Sequence, residues 1–342
     1  MSKAVNTGNG YPSGMKNRII NGGMDISQRG TSFAAANSYT LDRWFCSNVS
    51  DASATVTQST DVPAGSEFQS SIRAYVDTAD TSISSTQRAA FSQSIEGYNV
   101  RDLIGRTFTV SFWVRSTKTG IHCVAFRNSI SDRSYVTEYT INISNTWEYK
   151  TITIIGGLIT SGTWNWTNGL GCSVSWFLTA GSSFQTTPGS WQTGNFMSTA
   201  NQVNCLDTIG NIFAITGVQL ELGPVATPFE HRLFGTELAL CQSYYRRGLM
   251  GGCMSVAYST ANISFRLILN PPARGNVTTA LISGASLTNC IEKIGIAIYT
   301  PTSSTILTTP ANYAQIDFGG VYTLGAPCAI ATDNIIEINS EL

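Results

Sequence analysis

The stretch Arg106–Ser116, RTFTVSFWVRS, alternates between apolar and polar side chains. Phe108, Val110, Phe112 and Val114 fall on one side of an extended chain. Thr107, Thr109, Ser111 and Arg115 fall on the other, because successive side chains of a strand point to opposite faces. The pattern predicts a half-buried strand with a core face and an outer face. Trp113 interrupts the polar side, so the outer face is expected to be partly covered.

Other segments repeat the signal. Ile72, Ala74 and Val76 alternate in SIRAYVD; YKTITII (Tyr149–Ile155), GCSVSWFL (Gly171–Leu178) and IFAITGVQLEL (Ile212–Leu222) read as further strands. Tyr39, Leu41, Trp44 and Phe45 in YTLDRWFCSNV are core candidates, and NRIINGGMDISQRG offers two short strands about a Gly22-Gly23 turn. Turn signals recur about every 8–15 residues, which points to an antiparallel β-sandwich of about eight to ten strands between residues 18 and 230. A short helical turn is expected near Val100–Ile104.

Composition narrows the class. The chain has 342 residues, 42% of them hydrophobic and 12% charged, with a formal net charge of −1. Nucleic-acid binding needs a basic stripe, which is lacking. Disorder goes with low hydrophobicity and high charge, the opposite of this composition. Low charge suits a β protein that buries surface in an oligomer, since charges are depleted at interface cores. No stretch reaches the roughly 20 apolar residues of a membrane span, and MSKAVNTGNGYPSGMKNRII has no secretory apolar run. The reading is a chain made and folded in a cytoplasm. Its cysteines, Cys46, Cys123, Cys172, Cys205, Cys241, Cys253, Cys290 and Cys328, form no CxxC pair and are expected to be buried free thiols. Sequons at Asn48, Asn142, Asn165, Asn262 and Asn276 arise readily by chance in Ser/Thr-rich text.

The stretch ITGVQLELGPVATPFEHRLFGTELALCQSYYRR (Ile215–Arg247) marks a junction. Val218, Leu220 and Leu222 alternate inward, Gly223-Pro224 ends the strand, and Pro228 holds Thr227 extended. Thr236 is expected to cap a helix with Glu237 in its first turn, where a carboxylate suits the helix dipole. Leu238, Cys241 and Tyr245 have helical spacing. Beyond it, NISFRLIL (with Ile263, Phe265, Leu267 and Leu269 alternating), CIEKIGIAIYT and DNIIEINSEL read as strands. The expected organisation is an extended arm over 1–17, a β-sandwich over 18–233, a helical junction over 234–247 and a smaller β domain over 248–342.

Catalytic chemistry is sparse. The histidines are His122 and His231. A dyad of His122 with Cys123 is disfavoured because adjacent strand residues face opposite ways. No GxSxG, P-loop, HExxH or dinucleotide fingerprint is present, and no zinc-like spacing. A glycosidase needs only two carboxylates brought together by the fold, and no pair can be chosen among Asp25, Asp42, Asp51, Asp61, Asp77, Asp80 and Glu96. Aromatic residues are denser in TSGTWNWTNGLGCSVSWF and GSSFQTTPGSWQTGNF. Sugars stack their C–H faces on exposed rings while Asn, Gln and Asp read the hydroxyls. Trp164, Trp166 and Trp191, with Asn165 and Asn168, are the glycan-binding candidates. Trp176 and Trp191 also fit a core role, and Trp164 and Trp166 fit either a glycan contact or a contact between subunits.

Taken together, NRIINGGMDISQRGTSF, YTLDRWF, QSIEGYNVRDLIGRTFTVSFWVRS, AGSSFQTTPGSWQTGN and the junction stretch resemble a family of phage and prophage tail-fibre or receptor-binding proteins. The likeness spans about residues 18–247 and is looser beyond. It implies an all-β fold: an antiparallel jelly-roll β-sandwich like that of carbohydrate-binding modules, then a short helix and a second, smaller β domain. It implies a non-enzymatic virion component on tail fibre, baseplate or capsid surface, commonly a homotrimer, contacting bacterial surface glycan. The arm at 1–17 would then bind other virion proteins, and Glu237, Leu238, Cys241, Tyr244 and Tyr245 would serve the junction or the trimer. The alternatives are a capsid decoration protein that stabilises the shell and, further off, a glycan-degrading tail enzyme. The family often carries this domain at the end of a longer fibre, whereas here it begins near residue 18. Jelly-roll carbohydrate modules often hold a structural calcium; Asn21 and Asp25 are the candidate ligands, although no calcium-loop pattern is present. No other cofactor, nucleic-acid partner or membrane insertion is expected.

Overall fold

The computed structural model describes residues 15–249 and, beyond them, strand segments between residues 254 and 339 with residues 340 and 341. The first thirteen strands are β1 (Ser32–Ala34), β2 (Ser38–Tyr39), β3 (Phe45–Val49), β4 (Ser53–Ser59), β5 (Ser71–Thr78), β6 (Arg88–Glu96), β7 (Phe108–Ser116), β8 (Gly120–Asn128), β9 (Arg133–Ile141), β10 (Glu148–Ile154), β11 (Leu170–Ala180), β12 (Trp191–Thr193) and β13 (Ile212–Leu222). They form two antiparallel sheets, one six-stranded in the order β1-β4-β5-β13-β7-β10 and one seven-stranded in the order β12-β9-β8-β11-β6-β3-β2. The fold is the expected all-β jelly-roll sandwich. The strand total exceeds the sequence reading because β1, β2 and β12 are two or three residues long, too short to carry an alternation. Helix α1 (Gly97–Val100) and a 3-10 turn at Arg101–Leu103 occupy the expected helical spot.

The opening stretch becomes β7. Phe108, Val110, Phe112 and Val114 are all fully buried between the sheets, and burying each such side chain stabilises by about 1.5–3 kcal/mol. Trp44 and Trp176 meet them at the centre with ring centroids 5.7 Å apart. Phe112 packs edge-on against Trp176 at 5.4 Å and against Tyr139 at 5.2 Å. Leu41 and Trp44 join the core as expected, but Cys46 takes the inner side of β3. Phe45 therefore lies on the outer side, edge-on to Tyr39 at 5.2 Å.

The outer face of the seven-stranded sheet is partly roofed. Ala90, Cys123, Ala125, Val136 and Phe177 form a second apolar layer with Met197, flanked by Phe184 and Phe196. The small side chains keep that part of the sheet flat enough for the segment after β11 to lie on it. This is why β11 is buried along nearly its whole length on both faces.

The junction departs from its sequence reading at the helix start. Helix α2 runs Phe234–Gln242 with Leu233 at its N-cap position, so Thr236 lies inside the helix and Glu237 in its first turn. Tyr245 has left the helix and begins β14 (Tyr245–Leu249), which pairs antiparallel with Ile335–Asn339. Ile335–Asn339, within DNIIEINSEL, also pairs with Thr279–Ser283, and further strands fall within NISFRLIL and CIEKIGIAIYT. The faces taken by Ile263, Phe265, Leu267 and Leu269 lie outside the described side chains, and the arm before residue 15 lies outside the described residues. Lys16 and Asn17, read as part of that arm, are bound to the sandwich: both backbone N–H groups donate to Glu230, at 2.9 and 2.8 Å, and Asn17 is buried against Val218 and Leu220. Among the described residues no helix is long and apolar enough to cross a membrane.

Candidate functional site

The interruption at Trp113 marks a cleft on the outer face of the six-stranded sheet. Tyr149 on β10 sits opposite Trp113 in the ladder, and their rings are 5.4 Å apart with a 50° tilt. One wall is the loop Gly65–Phe68 and the other the strap Pro228–Phe229, with Ser111 and Gly217 between them; the cleft holds about 410 Å3. That volume lies within the range of small-ligand sites, about 300–1,000 Å3, and an apolar lining with a few polar groups is typical of them. Tyr149 is 45% exposed and Trp113 partly exposed. The polar groups available are Glu67, Ser66 and Ser111.

The walls are held by specific contacts. Phe68 and Phe229 pack edge to face at 5.1 Å. His231 lies against both rings and its Nε2 is 2.7 Å from Glu67 Oε1, which ties loop to strap. Gly217 has φ +60°, and a Cβ there would fall 2.5 Å from the Phe68 ring, so only glycine lets the wall close. The strap is anchored by Thr227, whose N–H and hydroxyl donate to Glu221 at 2.8 and 2.7 Å, and by Glu230, whose N–H donates to Gln219 Oε1 at 2.8 Å. Despite desolvation, the N–H groups of Lys16 and Asn17 hold the Glu230 carboxyl below its usual range. At the start of β10, beside Tyr149 in sequence, Glu148 accepts from Asn142, Ile143 and Lys150. Against an opposing desolvation, these donors bring its carboxyl down to about 2.

The structure does bring Trp164, Trp166 and Trp191 together, from the 161–169 loop and β12. Trp164 and Trp166 stack with centroids 4.9 Å apart and planes 9° from parallel, and Trp191 meets Trp164 edge-on at 5.6 Å. Two of the three indole N–H groups are spent internally: Trp164 Nε1 donates to Ser161 O and Trp191 Nε1 to Gly157 O, each at 2.9 Å. Asn165 Oδ1 accepts from Thr167 N and Oγ1; Asn168 is exposed. All three rings are partly buried and pack against the main core. The loop is seated so closely that a Cβ on Gly97 would lie 2.1 Å from Asn165 O and 2.5 Å from the Trp166 backbone. The cluster acts as an aromatic brace whose rings face one another. Trp191, read as a core candidate alongside Trp176, is half out of the core, whereas Trp176 is fully buried.

The two candidate calcium ligands differ in setting: Asn21 is buried and Asp25 exposed. Asn21 spends its amide on its own turn, donating to Ile26 O and Asp42 O and accepting from Ile26 N. Although Asp25 is exposed, desolvation raises its carboxyl above the usual range, opposed by His231 and reinforced by Glu237. Among the described residues no cluster of three or more His, Cys, Asp or Glu forms a metal-sized cage.

The junction candidates work within the chain. Glu237 accepts from Arg232 at 3.0 Å and from the Asn21 N–H, and Leu238 is partly buried. Cys241, Tyr244 and Tyr245 are buried against the protomer's own sandwich, so they are not surface contacts for a neighbouring subunit. Arg43 lies 3.5 Å over the Tyr244 ring and Arg29 3.4 Å over that of Tyr245. Both arginines pair with Glu341. The exposed large apolar residues in the junction stretch are Val225 (71%), Leu233 (82%) and Phe234 (64%), which the helical spacing did not single out.

Nucleophilic chemistry finds no footing at the histidine. His122 points into the core, stacked on Tyr139 and Phe213, while Cys123 faces the outer layer. Burial lowers His122 to about 4 and raises Cys123 to about 11. Cys205 approaches His122 Nδ1 at 3.7 Å, but burial lifts its thiol to about 12. Cys46, Cys123, Cys172, Cys205 and Cys241 are buried free thiols; the remaining cysteines lie outside the described side chains.

No family model and no curated protein matches the chain. Solved structures do. Tailspike protein 4 of bacteriophage CBA120, in its enzymatically active domain, is 20% identical over 60% of this chain, with a TM-score of 0.35; the match takes in 21% of that tailspike chain. The carbohydrate-binding module TmCBM61, in complex with β-1,4-galactotriose, is 11% identical over 61% of this chain and 100% of its own, with a TM-score of 0.31. A family 11 carbohydrate-binding module from Clostridium thermocellum is 10% identical over 59% and 98%, with a TM-score of 0.30.

Proposed function

We propose that this chain is a non-enzymatic glycan-binding spike protein of a phage virion, and that it holds sugar in the Trp113–Tyr149 cleft. The observation that carries the reading is the cleft itself: two partly exposed ring faces on a rigid sheet, flanked by a carboxylate and hydroxyls. A pyranose laid on those rings buries its C–H face, while Glu67, Ser66 and Ser111 are within the same cleft to accept from or donate to its hydroxyls. The non-enzymatic part of the reading is supported by the carboxylates of the cleft. A glycosidase needs two carboxyl groups across the scissile bond, and Glu67 is the single carboxylate among the cleft's described lining residues. The virion location, the homotrimer and the attachment of residues 1–17 to other virion proteins belong to the same proposal and rest on the family resemblance.

The test is isothermal titration of the full chain with neutral oligosaccharides, β-1,4-galactotriose among them, and with glycan from candidate host surfaces. Binding that survives Trp166→Ala and is lost in Trp113→Ala supports the reading. Binding untouched by Trp113→Ala, or absent throughout, sinks it. Light scattering tests the trimer separately.

A further inference from the structure

The outer face of the seven-stranded sheet carries a second feature, unrelated to the cleft. Arg127 on β8 projects from that face, opposite Ser173 of β11 in the ladder. Its Nη2 donates to Ser175 Oγ at 3.3 Å and its Nη1 to Asn195 Oδ1 at 3.1 Å. Its Nε is shut off from solvent and has no partner. The guanidinium lies 5.9 Å from the Phe177 ring, and Arg88, on the same face, lies 5.1 Å from the Phe184 ring. Neither arginine has a carboxylate partner among the described residues. Burial, and then the like charge of Arg88, lower Arg127 to about 10.

The contrast with Arg43 is instructive. That side chain is fully buried, whereas Arg127 is partly exposed with its Nε shut off, and the fold gives Arg43 the Glu341 carboxylate, the Tyr244 ring and the Ser94 carbonyl. Burying a cation without an opposite charge is costly, and the cost is ordinarily met by pairing. Arg127 instead holds two neutral acceptors, one of them the amide oxygen of an exposed asparagine. An amide oxygen is the uncharged counterpart of a carboxylate oxygen, and an exposed side chain can swing aside.

We propose that Arg127, supported by Arg88, forms an anion site on this face that takes the carboxylate of an acidic saccharide, the ligand displacing Asn195. A carboxylate matches the planar fork of a guanidinium, the Ser175 hydroxyl can turn to donate to it, and the aromatic layer beneath limits competition from water. The site is separate from the cleft; only the saccharide nature of its ligand rests on the glycan-binding reading.

The test uses the full chain, thermal unfolding and titration, with digalacturonate, its neutral analogue digalactose and inorganic phosphate as probes. Digalacturonate is expected to raise Tm and to bind, and digalactose to do neither at this site. Asn195→Asp supplies an internal carboxylate from an exposed position. It is expected to raise Tm by about 2–4 °C and to weaken digalacturonate at least tenfold. Arg127→Met is expected to abolish the response without lowering Tm, because it removes a partly buried charge that has no carboxylate partner among the described residues. No response of the wild-type chain to digalacturonate, or an unchanged response in Asn195→Asp, overturns the proposal. An equal response to phosphate overturns its saccharide half. Loss of neutral-sugar binding at Trp113 leaves this result standing, so the two readings fail separately.

Discussion

Two aromatic clusters lie on this molecule, and they have opposite designs. In the 161–169 loop, Trp164 and Trp166 cover each other at 4.9 Å and Trp191 closes the edge. In the cleft, Trp113 and Tyr149 tilt apart by 50° and leave ring surface over an open volume. A density of tryptophan in polar text does not say which design is present. What matters is whether the ring faces and N–H groups are already used. In the loop the faces of Trp164 and Trp166 cover each other and the N–H groups of Trp164 and Trp191 bond the backbone; in the cleft the Trp113 N–H makes no such bond among the described residues.

The sharpest way to break this contrast is Gly97→Ala. The added Cβ would overlap the Asn165–Trp166 backbone at 2.1–2.5 Å, which cannot step aside as a side chain would. It is expected to destabilise the chain by about 3 kcal/mol, the upper part of the overpacking range. Denaturant unfolding would show this, with glycan affinity unchanged in the folded fraction. If affinity falls instead, the loop belongs to the binding surface. Next, Trp113→Ala is expected to cost about 2 kcal/mol of binding, roughly thirtyfold, as for a central aromatic anchor, with little change in Tm. Titration beside Trp166→Ala checks the split. Gly217→Ala is expected to cost about 1–2 kcal/mol of stability from backbone strain at positive φ and to weaken glycan several-fold by pushing Phe68 out of the wall. Equal affinity would show that the wall does not shape the site.

The smallest effect concerns acid. The Glu148 carboxyl is depressed to about 2 in the folded chain from an ordinary 4.5. Its contribution to stability is therefore full above about 4.5 and is lost as pH falls toward 2. Glu148→Gln should flatten that part of the stability profile, read by unfolding at successive pH values. A profile identical to wild type would mean that its contacts to Asn142 and Ile143 do not hold the start of β10.

Much of the sandwich was legible because its central strands obey a period of two. Phe108 through Val114, Ile72 through Val76, and Val218 with Leu220 all face inward as written. Trp113 was legible as an anomaly, but its meaning was not. Tyr149 reaches it through a ladder contact 36 residues away, and Phe68, Gly217 and Phe229 come from three other segments. Local pattern cannot see such convergence. The tryptophan loop misled for the complementary reason: alternation of Trp with Asn and Thr looks exposed, yet Gly97 and Gly169 let the loop sink until its rings stack. Helix α2 begins at Phe234 rather than after a Thr236 cap, and Tyr245 pairs in a strand with Asn339, a partner nearly a hundred residues away. The roof over the seven-stranded sheet showed only as Phe184 and Phe196 in otherwise polar text.

The most direct test of the central claim is the set of tryptophan indole N–H signals in an NMR titration with a bound glycan. The Trp113 indole makes no hydrogen bond among the described residues, whereas Trp164 and Trp191 donate to their own backbone. The account expects the Trp113 signal to move with added sugar while those of Trp164, Trp166 and Trp191 stay in place. Movement of the loop tryptophans with a stationary Trp113 would contradict it and return the site to the loop.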